Sequence, residues 1–414
     1  MDTKTLRCGL LGRKLGHSYS PAIHERLADY SYRLFEVEPE DLGAFLQEGA
    51  FDGLNVTIPY KKDVIPYCAE LSDTARAIGA VNTLVRRADG TLWGDNTDAY
   101  GFSMLVQSSG ADVAGKKALV FGSGGASATA QYVLRQLGAR EVVVISRHGE
   151  DNYENLDRHA DAQIAVNTTP VGMYPNTGVS PVDLHRLPRL EAALDVVYNP
   201  ARTEFLLQAE TRGLRRANGL LMLAAQAKKS CEDFTGEPVD DAKIFSITKA
   251  LEAQMHNVIL IGMPGSGKTT IGTLVAKRLG RTFVDADSAL EREAGMTIPE
   301  IFRREGEAGF RRRETAVLAE LGRQSGLVLA TGGGSVTREE NYPLLHQNGE
   351  IFCLQRALER LPSAGRPVSQ ALGAQTIYAQ RKPLYARFAD AMIDNNGTPE
   401  AAAAQILEVL GCSC

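Results

Sequence analysis

Two short stretches of this sequence are built to approach phosphates. Gly262-Met-Pro-Gly265-Ser266-Gly267-Lys268-Thr269-Thr270 follows the apolar run Val258–Ile261 and opens a helix-compatible segment. A Gly-x4-Gly-Lys-Thr loop in that setting binds a nucleoside triphosphate: its amides cradle the phosphates, Lys268 reaches the β/γ groups, and the Thr269 hydroxyl ligates Mg²⁺. The loop leaves the acceptor open. The other stretch, Gly122-Ser123-Gly124-Gly125-Ala126-Ser127, lies between Ala118–Phe121 and a helix-compatible run, Ala128–Leu137. Glycines there permit a tight turn and let amides face a pyrophosphate at the positive end of the helix. Ser127 stands where Gly or Ala is usual. The next apolar run ends in Ile145-Ser146-Arg147, where an NAD site places a carboxylate for the ribose 2′-hydroxyl. Arg147 suits a 2′-phosphate instead and predicts NADP; the bland alternative is a solvated surface arginine.

The elements that must carry these loops alternate. Short β-branched runs (Lys117–Phe121, Glu141–Ile145, Ile164–Asn167, Leu194–Val197, Val258–Ile261, Thr282–Val284, Val328–Ala330, Ile351–Leu354) are separated by longer helical patterns. This predicts an α/β chain with parallel sheets and crossover helices. At 414 residues the chain is long enough for two or three domains of roughly 100–200 residues each. Asp240–Gln254 reads as a helix closing the first part, which puts the boundary near residue 254. With 45 Lys+Arg against 50 Asp+Glu there is no basic stripe for a nucleic-acid partner. No apolar run reaches the ~20 residues of a spanning helix, and Met1–Gly12 lacks a secretory apolar core. The expectation is a cytoplasmic enzyme with no membrane partner. The six cysteines lack zinc-site spacing and read as buried free thiols.

Five motifs surround the first glycine loop: His17-Ser18-Tyr19-Ser20-Pro21, Asn55-Val-Thr57-Ile-Pro59-Tyr-Lys61, Gly79-Ala-Val-Asn82-Thr83, Gly94-Asp95-Asn96-Thr97-Asp98 and Asn218-Gly219-Leu-Leu-Met222-Leu-Ala-Ala-Gln226. Over approximately residues 5–254 the sequence resembles the shikimate dehydrogenase family. The resemblance implies a substrate domain over 1–100 completed by 215–253, with a Rossmann domain over 101–214 inserted in it. A ketone reduced by hydride needs a proton donor, and a lysine beside a carboxylate provides one. Lys61 and Asp98 match the pair that the family uses. Ser18 and Ser20 are implied to hold the substrate carboxylate, and Thr57, Asn82, Tyr198 and Gln226 its ring hydroxyls. Gly219 and Met222 match positions near the nicotinamide, although a methionine at helical spacing is by default core. The stretch His148–Asp161 is shorter and more acidic than is usual in the family and lacks a second arginine, so that Glu150 and Asp151 can oppose a 2′-phosphate.

Around the second loop stand Asp285-Ala-Asp287, Gly306-Glu-Ala-Gly-Phe310-Arg311-Arg-Arg-Glu314, Gly332-Gly333-Gly334, Gly365-Arg366-Pro367 and Arg381-Lys-Pro-Leu-Tyr385. Across roughly 256–396 these are similar to shikimate kinase, which implies a kinase domain over 254–414. The similarity assigns Asp285 to the metal, Asp287 to the acceptor's hydroxyls and its proton, Arg311 and Arg381 to the acceptor carboxylate, and Gly333 to close approach to the ring. Arg366 matches the lid arginine that stabilises the transferred phosphate. The lid is shorter than usual.

The two resemblances together predict NADPH-dependent reduction of 3-dehydroshikimate to shikimate, then ATP-dependent phosphorylation of shikimate to shikimate 3-phosphate, in aromatic amino-acid biosynthesis. The alternatives are a chain in which one half only binds ligand, or an NAD-dependent quinate/shikimate dehydrogenase fused to another small-molecule kinase. Arg147 opposes NAD, and paired Arg311 and Arg381 call for a carboxylate on a compact ring.

Overall fold

A run of five residues that are all buried, Lys117–Phe121, shows how the sequence builds its layers. Ala118 and Val120 enter one apolar cluster, while Leu119 and Phe121 enter another on the opposite face. A strand covered on both sides has no polar face, so its sequence reads as a continuous apolar run. The computed structural model describes residues 6–16, 18–361 and 373–412. His17, Cys414 and the expected lid motif Gly365-Arg366-Pro367 lie outside the described residues. By contact density the chain divides into two compact units, the first through residue 250 and the second from 251 onward. Tyr174–Gly178 and Asn199–Glu204 are grouped with the second unit.

The first unit contains two sheets. One is formed by β1 (Arg7–Gly12), β2 (Ser31–Glu36), β3 (Gly53–Val56), β4 (Cys68–Leu71), β5 (Thr83–Arg86) and β6 (Leu92–Asp95), in the order β2-β1-β3-β5-β6-β4. In this sheet, which lies before the alternating runs that predict parallel strands, β5 runs antiparallel to both β3 and β6. For the β5–β6 pair the cause is local: Asp89-Gly90, with Gly90 at φ 86°, makes a tight hairpin between them. The other sheet is wholly parallel, β7 (Lys117–Phe121), β8 (Glu141–Ile145), β9 (Ile164–Asn167), β10 (Ala192–Asp195) and β11 (Arg215–Ala217), in the order β11-β10-β9-β7-β8. The reading of Leu194–Val197 as a strand is two residues late, because Val196 and Val197 already belong to the turn beyond the sheet edge.

The second unit holds a parallel sheet of β12 (Asn257–Ile261), β13 (Phe283–Asp285), β14 (Val328–Ala330), β15 (Gly349–Gln355) and β16 (Ala391–Asp394), ordered β13-β14-β12-β15-β16. Here too alternate residues divide: Ile259 and Ile261 pack on one side, Val258 and Leu260 on the other. The expected closing helix is present as Ala242–Met255. Cys8, Cys231 and Cys353 are buried thiols, while Cys68 and Cys412 are half-buried. No helix is long and apolar enough to cross a membrane among the described residues.

Candidate active sites

In the first unit the glycine turn and the expected acid/base pair, Lys61 and Asp98, come together. Gly122, at φ 107°, turns the chain out of β7, and the helix Gly125–Gln136 begins three residues later. The helix thus starts earlier than Ala128, with Gly124 as its cap. Ser123 and Gly124 are exposed, and nothing lies within 4 Å of the position a Cβ on Gly124 would take. A Cβ on Gly125 would lie 4.0 Å from the Lys61 side chain. The Lys61 ammonium donates to Asp98 Oδ2 at 2.5 Å, with both side chains mostly covered. Lys61 is itself anchored, since the Val81 amide donates to its carbonyl at 2.7 Å.

Asp98 opens the helix Asp98–Ser109, which packs closely on Leu220–Thr235. Gly101 makes this approach possible: a Cβ there would sit 2.6 Å from the Met222 carbonyl and 3.1 Å from Gln226 Cβ. Met222 belongs to the apolar cluster beneath the second sheet, in keeping with its default reading as core. Gly219 lies so close to Val196 that a Cβ would fall 2.0 Å from its carbonyl oxygen.

Beneath the pair runs a buried polar network that sequence reasoning left without a role. Asn55 Nδ2 donates to Ser230 Oγ at 2.7 Å, and Ser230 and Thr83 each lie within 3.1 Å of Thr97 Oγ1. Asn82 is drawn into it: its Oδ1 accepts from the Thr97 amide at 2.7 Å and its Nδ2 donates to Thr97 Oγ1 at 3.0 Å. The Tyr32 hydroxyl donates to Asn55 Oδ1 at 2.7 Å and couples the network to the Ser20 side. The signal available in sequence was polar Asn55 and Thr83 inside strands β3 and β5. Tyr19 meets Tyr198 edge-on at 6.2 Å, which sets the Ser18–Ser20 turn beside Tyr198; burial raises both phenols. Thr57 is half-buried just past β3.

Arg147 is exposed after β8, with Ser146 half-buried beside it. Asp151 does not stand in the loop as an open charge, because its Oδ1 meets His159 Nε2 at 2.8 Å. Glu150 stays exposed, and its carbonyl accepts from Asn155 Nδ2 at 2.8 Å, folding the short loop on itself. A further feature missed in sequence is Asn167-Thr168-Thr169 at the end of β9. Thr168 Oγ1 donates to the Phe121 carbonyl at 2.7 Å and closes against Gly122.

In the second unit a cavity of about 630 Å³ is lined by the phosphate loop, Asp285, Asp287, Arg311, the Gly332–Gly334 turn and Arg381. Gly265 and Gly267 adopt φ of 84° and 97°, conformations that favour glycine. Lys268 Nζ donates to the carbonyls of Gly262 and Met263 at 2.9 and 3.1 Å. Thr269 Oγ1 donates to Asp285 Oδ2 at 2.9 Å, and Asp285 Oδ1 caps the next helix through the amides of Asp287 and Ser288. Thr269 and Thr270 are exposed to the cavity. Ser266 is fully buried, and its amide donates across the loop to Met263. Asn395, unmarked in sequence, donates to its carbonyl at 2.5 Å.

Arg311 donates to Glu314 Oε2 at 2.6 Å, and Arg381 to the Gly333 carbonyl at 3.0 Å. Glycine at 332 leaves room for the carboxylates, since a Cβ would lie 2.6 Å from Glu314 Oε1 and 2.9 Å from Asp287 Oδ1. At 333 the constraint is Pro264, whose Cδ would be 2.6 Å from a Cβ. Burial, with Asp285 and Glu314 nearby, pushes Asp287 up to about 6, against the pull of Lys268 and Arg311. Glu314 is raised by burial as well. Arg360, an exposed residue, bonds the Asn396 carbonyl.

A parallel sheet with a glycine turn at its carboxyl edge, a lysine–carboxylate pair beside that turn, and a separate phosphate-loop unit define a dinucleotide-type oxidoreductase joined to a small-molecule kinase. Known proteins agree with this division. Residues 10–84 match the family model of the shikimate dehydrogenase substrate binding domain, and residues 264–411 match that of shikimate kinase. The chain is 36% identical over 267 residues to the NADP(+) shikimate dehydrogenase of Clostridium perfringens strain SM101, covering 59% of this chain and 98% of that protein. Among solved structures, a chorismate mutase/shikimate 5-dehydrogenase fusion from Clostridium acetobutylicum matches at 35% identity and TM-score 0.57, over 60% of this chain and 98% of that one. The Thermus thermophilus shikimate 5-dehydrogenase in complex with NADP(H) and shikimate matches at 32% identity and TM-score 0.54, over 59% and 99%. The chain belongs to the shikimate dehydrogenase family, and it carries a shikimate kinase domain after the dehydrogenase part.

Proposed function

We propose that the first unit reduces 3-dehydroshikimate to shikimate with NADPH and that the second transfers the γ-phosphoryl group of ATP to shikimate, giving shikimate 3-phosphate. The observation that carries this reading is the Lys61–Asp98 contact at 2.5 Å beside the glycine turn, in one chain with a phosphate loop that faces Asp287, Arg311 and Arg381.

The residues present fit a dinucleotide. Open space at Gly124 and the amide end of the Gly125–Gln136 helix suit a pyrophosphate, and exposed Arg147 suits a 2′-phosphate. NADPH supplies the hydride when bound. Lys61 donates the proton that the ketone oxygen takes up as it becomes a hydroxyl, and Asp98 orients its ammonium. Ser18 and Ser20 hold the substrate carboxylate, while Thr57, Asn82, Tyr198 and Gln226 orient the ring; Gly219 and Met222 bound the nicotinamide side.

In the second unit Gly265, Gly267, Lys268, Thr269 and Thr270 hold the triphosphate. Thr269 and Asp285 are oxygen donors suited to Mg²⁺, which offsets phosphate charge when bound. Arg311 and Arg381 clamp the acceptor carboxylate, a task matched to guanidinium geometry. Asp287 accepts the proton of the attacking hydroxyl. With its carboxyl near 6 it is ionised at neutral pH yet basic enough to take a proton. Arg366 is proposed as the lid cation. Each half is tested alone by steady-state turnover: NADPH oxidation with 3-dehydroshikimate, and ADP formation with shikimate. Absence of either turnover in folded protein reduces that half to a binding domain.

A further inference from the structure

The kinase cavity holds a cation that the proposed reaction leaves unused. Arg356 lines it together with Lys268, Arg311 and Arg381. The strand order fixes its surroundings: Ile261, the last residue before the phosphate loop, pairs with Cys353, and Arg356 follows directly on the end of that strand at Gln355. The backbone around it is tied to that loop. Leu354's carbonyl would lie 2.8 Å from a Cβ on Gly262, and the Ala357 amide donates to Asn396 Oδ1 at 2.8 Å, next to the Asn395 that holds Ser266.

The other cavity cations are engaged, Lys268 with two loop carbonyls, Arg311 with Glu314, and Arg381 with Gly333. Arg356 makes no hydrogen bond or ion pair with any other described residue, and its Nε is shut off from solvent without a partner. A guanidinium carries five N–H donors in a fixed fork and is always charged, so covering part of it without an acceptor is unfavourable until an anion arrives. Phosphate oxygens match that fork.

We propose that Arg356 binds the polyphosphate chain of the nucleotide, as a phosphate-contacting residue additional to Lys268. The inference rests on reading the second unit as a nucleotide-binding kinase site. On the acceptor side Arg311 and Arg381 are expected to take the carboxylate, so loss of Arg356 is felt by the nucleotide and not by the acceptor.

The test uses the full chain and compares wild type, Arg356→Gln and Arg356→Lys by calorimetry with adenylyl imidodiphosphate and with adenosine, and by the kinase KM for shikimate. Arg356→Gln is expected to weaken the triphosphate analogue about ten- to a hundred-fold, as for loss of a charge-assisted hydrogen bond. Adenosine affinity and the shikimate KM stay within about two-fold, inside the scatter of a surface substitution, and Arg356→Lys recovers part of the loss. Equal weakening of adenosine and analogue, or unchanged analogue affinity in Arg356→Gln, overturns the inference while leaving the kinase reading standing. A wild type that binds no analogue overturns both.

Discussion

Lys61 Nζ and Asp98 Oδ2 lie 2.5 Å apart although 37 residues separate them in the chain. One comes from the turn after β3 and the other from the first position of a helix, so the pair exists only when the first sheet and that helix are both in place. Lys61→Ala is expected to lower the reduction rate by about 10²–10⁴-fold, the usual worth of a positioned acid, with shikimate phosphorylation unchanged. Parallel assays of the two turnovers check this; equal loss of both in folded protein contradicts the assignment.

If Arg147 meets a 2′-phosphate, Arg147→Ala weakens NADPH about ten- to a hundred-fold while NADH is little affected. Dinucleotide KM values measured side by side decide it. With Asp151 held by His159, Asp151→Asn is expected to shift the NADPH/NADH ratio far less than Arg147→Ala does.

Kinase kcat/KM is expected to rise about tenfold per pH unit until Asp287 ionises near 6 and then to level off. The same shift acts on stability. A carboxyl raised from 3.8 to about 6 on folding costs nothing below 3.8, where both states are protonated, and costs the folded state its full amount above 6. Asp287→Asn therefore abolishes phosphorylation yet stabilises the ligand-free protein by about 1–3 kcal/mol at pH 7–8, and not at pH 3–4. Denaturant unfolding at the two pH values checks the sign.

Gly101→Ala places a methyl 2.6 Å from the Met222 carbonyl. Forcing the two helices apart is expected to cost about 1–3 kcal/mol and to lower reduction, since Asp98 and Gln226 ride on those helices. A thermal midpoint and reduction rate that both stay at wild-type values contradict the close-approach account.

Both glycine loops and the strand Lys117–Phe121 were legible in sequence because a strand, a glycine turn and a helix each leave a local pattern. What sequence hid depends on partners far along the chain. Ser230 looks like an ordinary helix serine, and only the fold brings it to Asn55, 175 residues away. Ser266 sits in a phosphate-loop motif, yet its carbonyl is held by Asn395, 129 residues further on, which the motif does not encode. Strand β5 pairs antiparallel with β3, Gly53 opposite Val85, a partner that no local pattern marks. Arg356 follows a strand without any motif, and only the pairing of β15 with β12, the strand that feeds the phosphate loop, brings it to the cavity.

The most direct test of two successive reactions in one chain is a single incubation of the purified protein with 3-dehydroshikimate, NADPH and MgATP, with products identified by mass and NADPH and ADP followed together. Shikimate 3-phosphate is the expected product, with ADP formed in amounts approaching the NADPH oxidised once shikimate has ceased to accumulate. NADPH oxidation that ends at shikimate, or ADP formed without any phosphorylated shikimate, contradicts it.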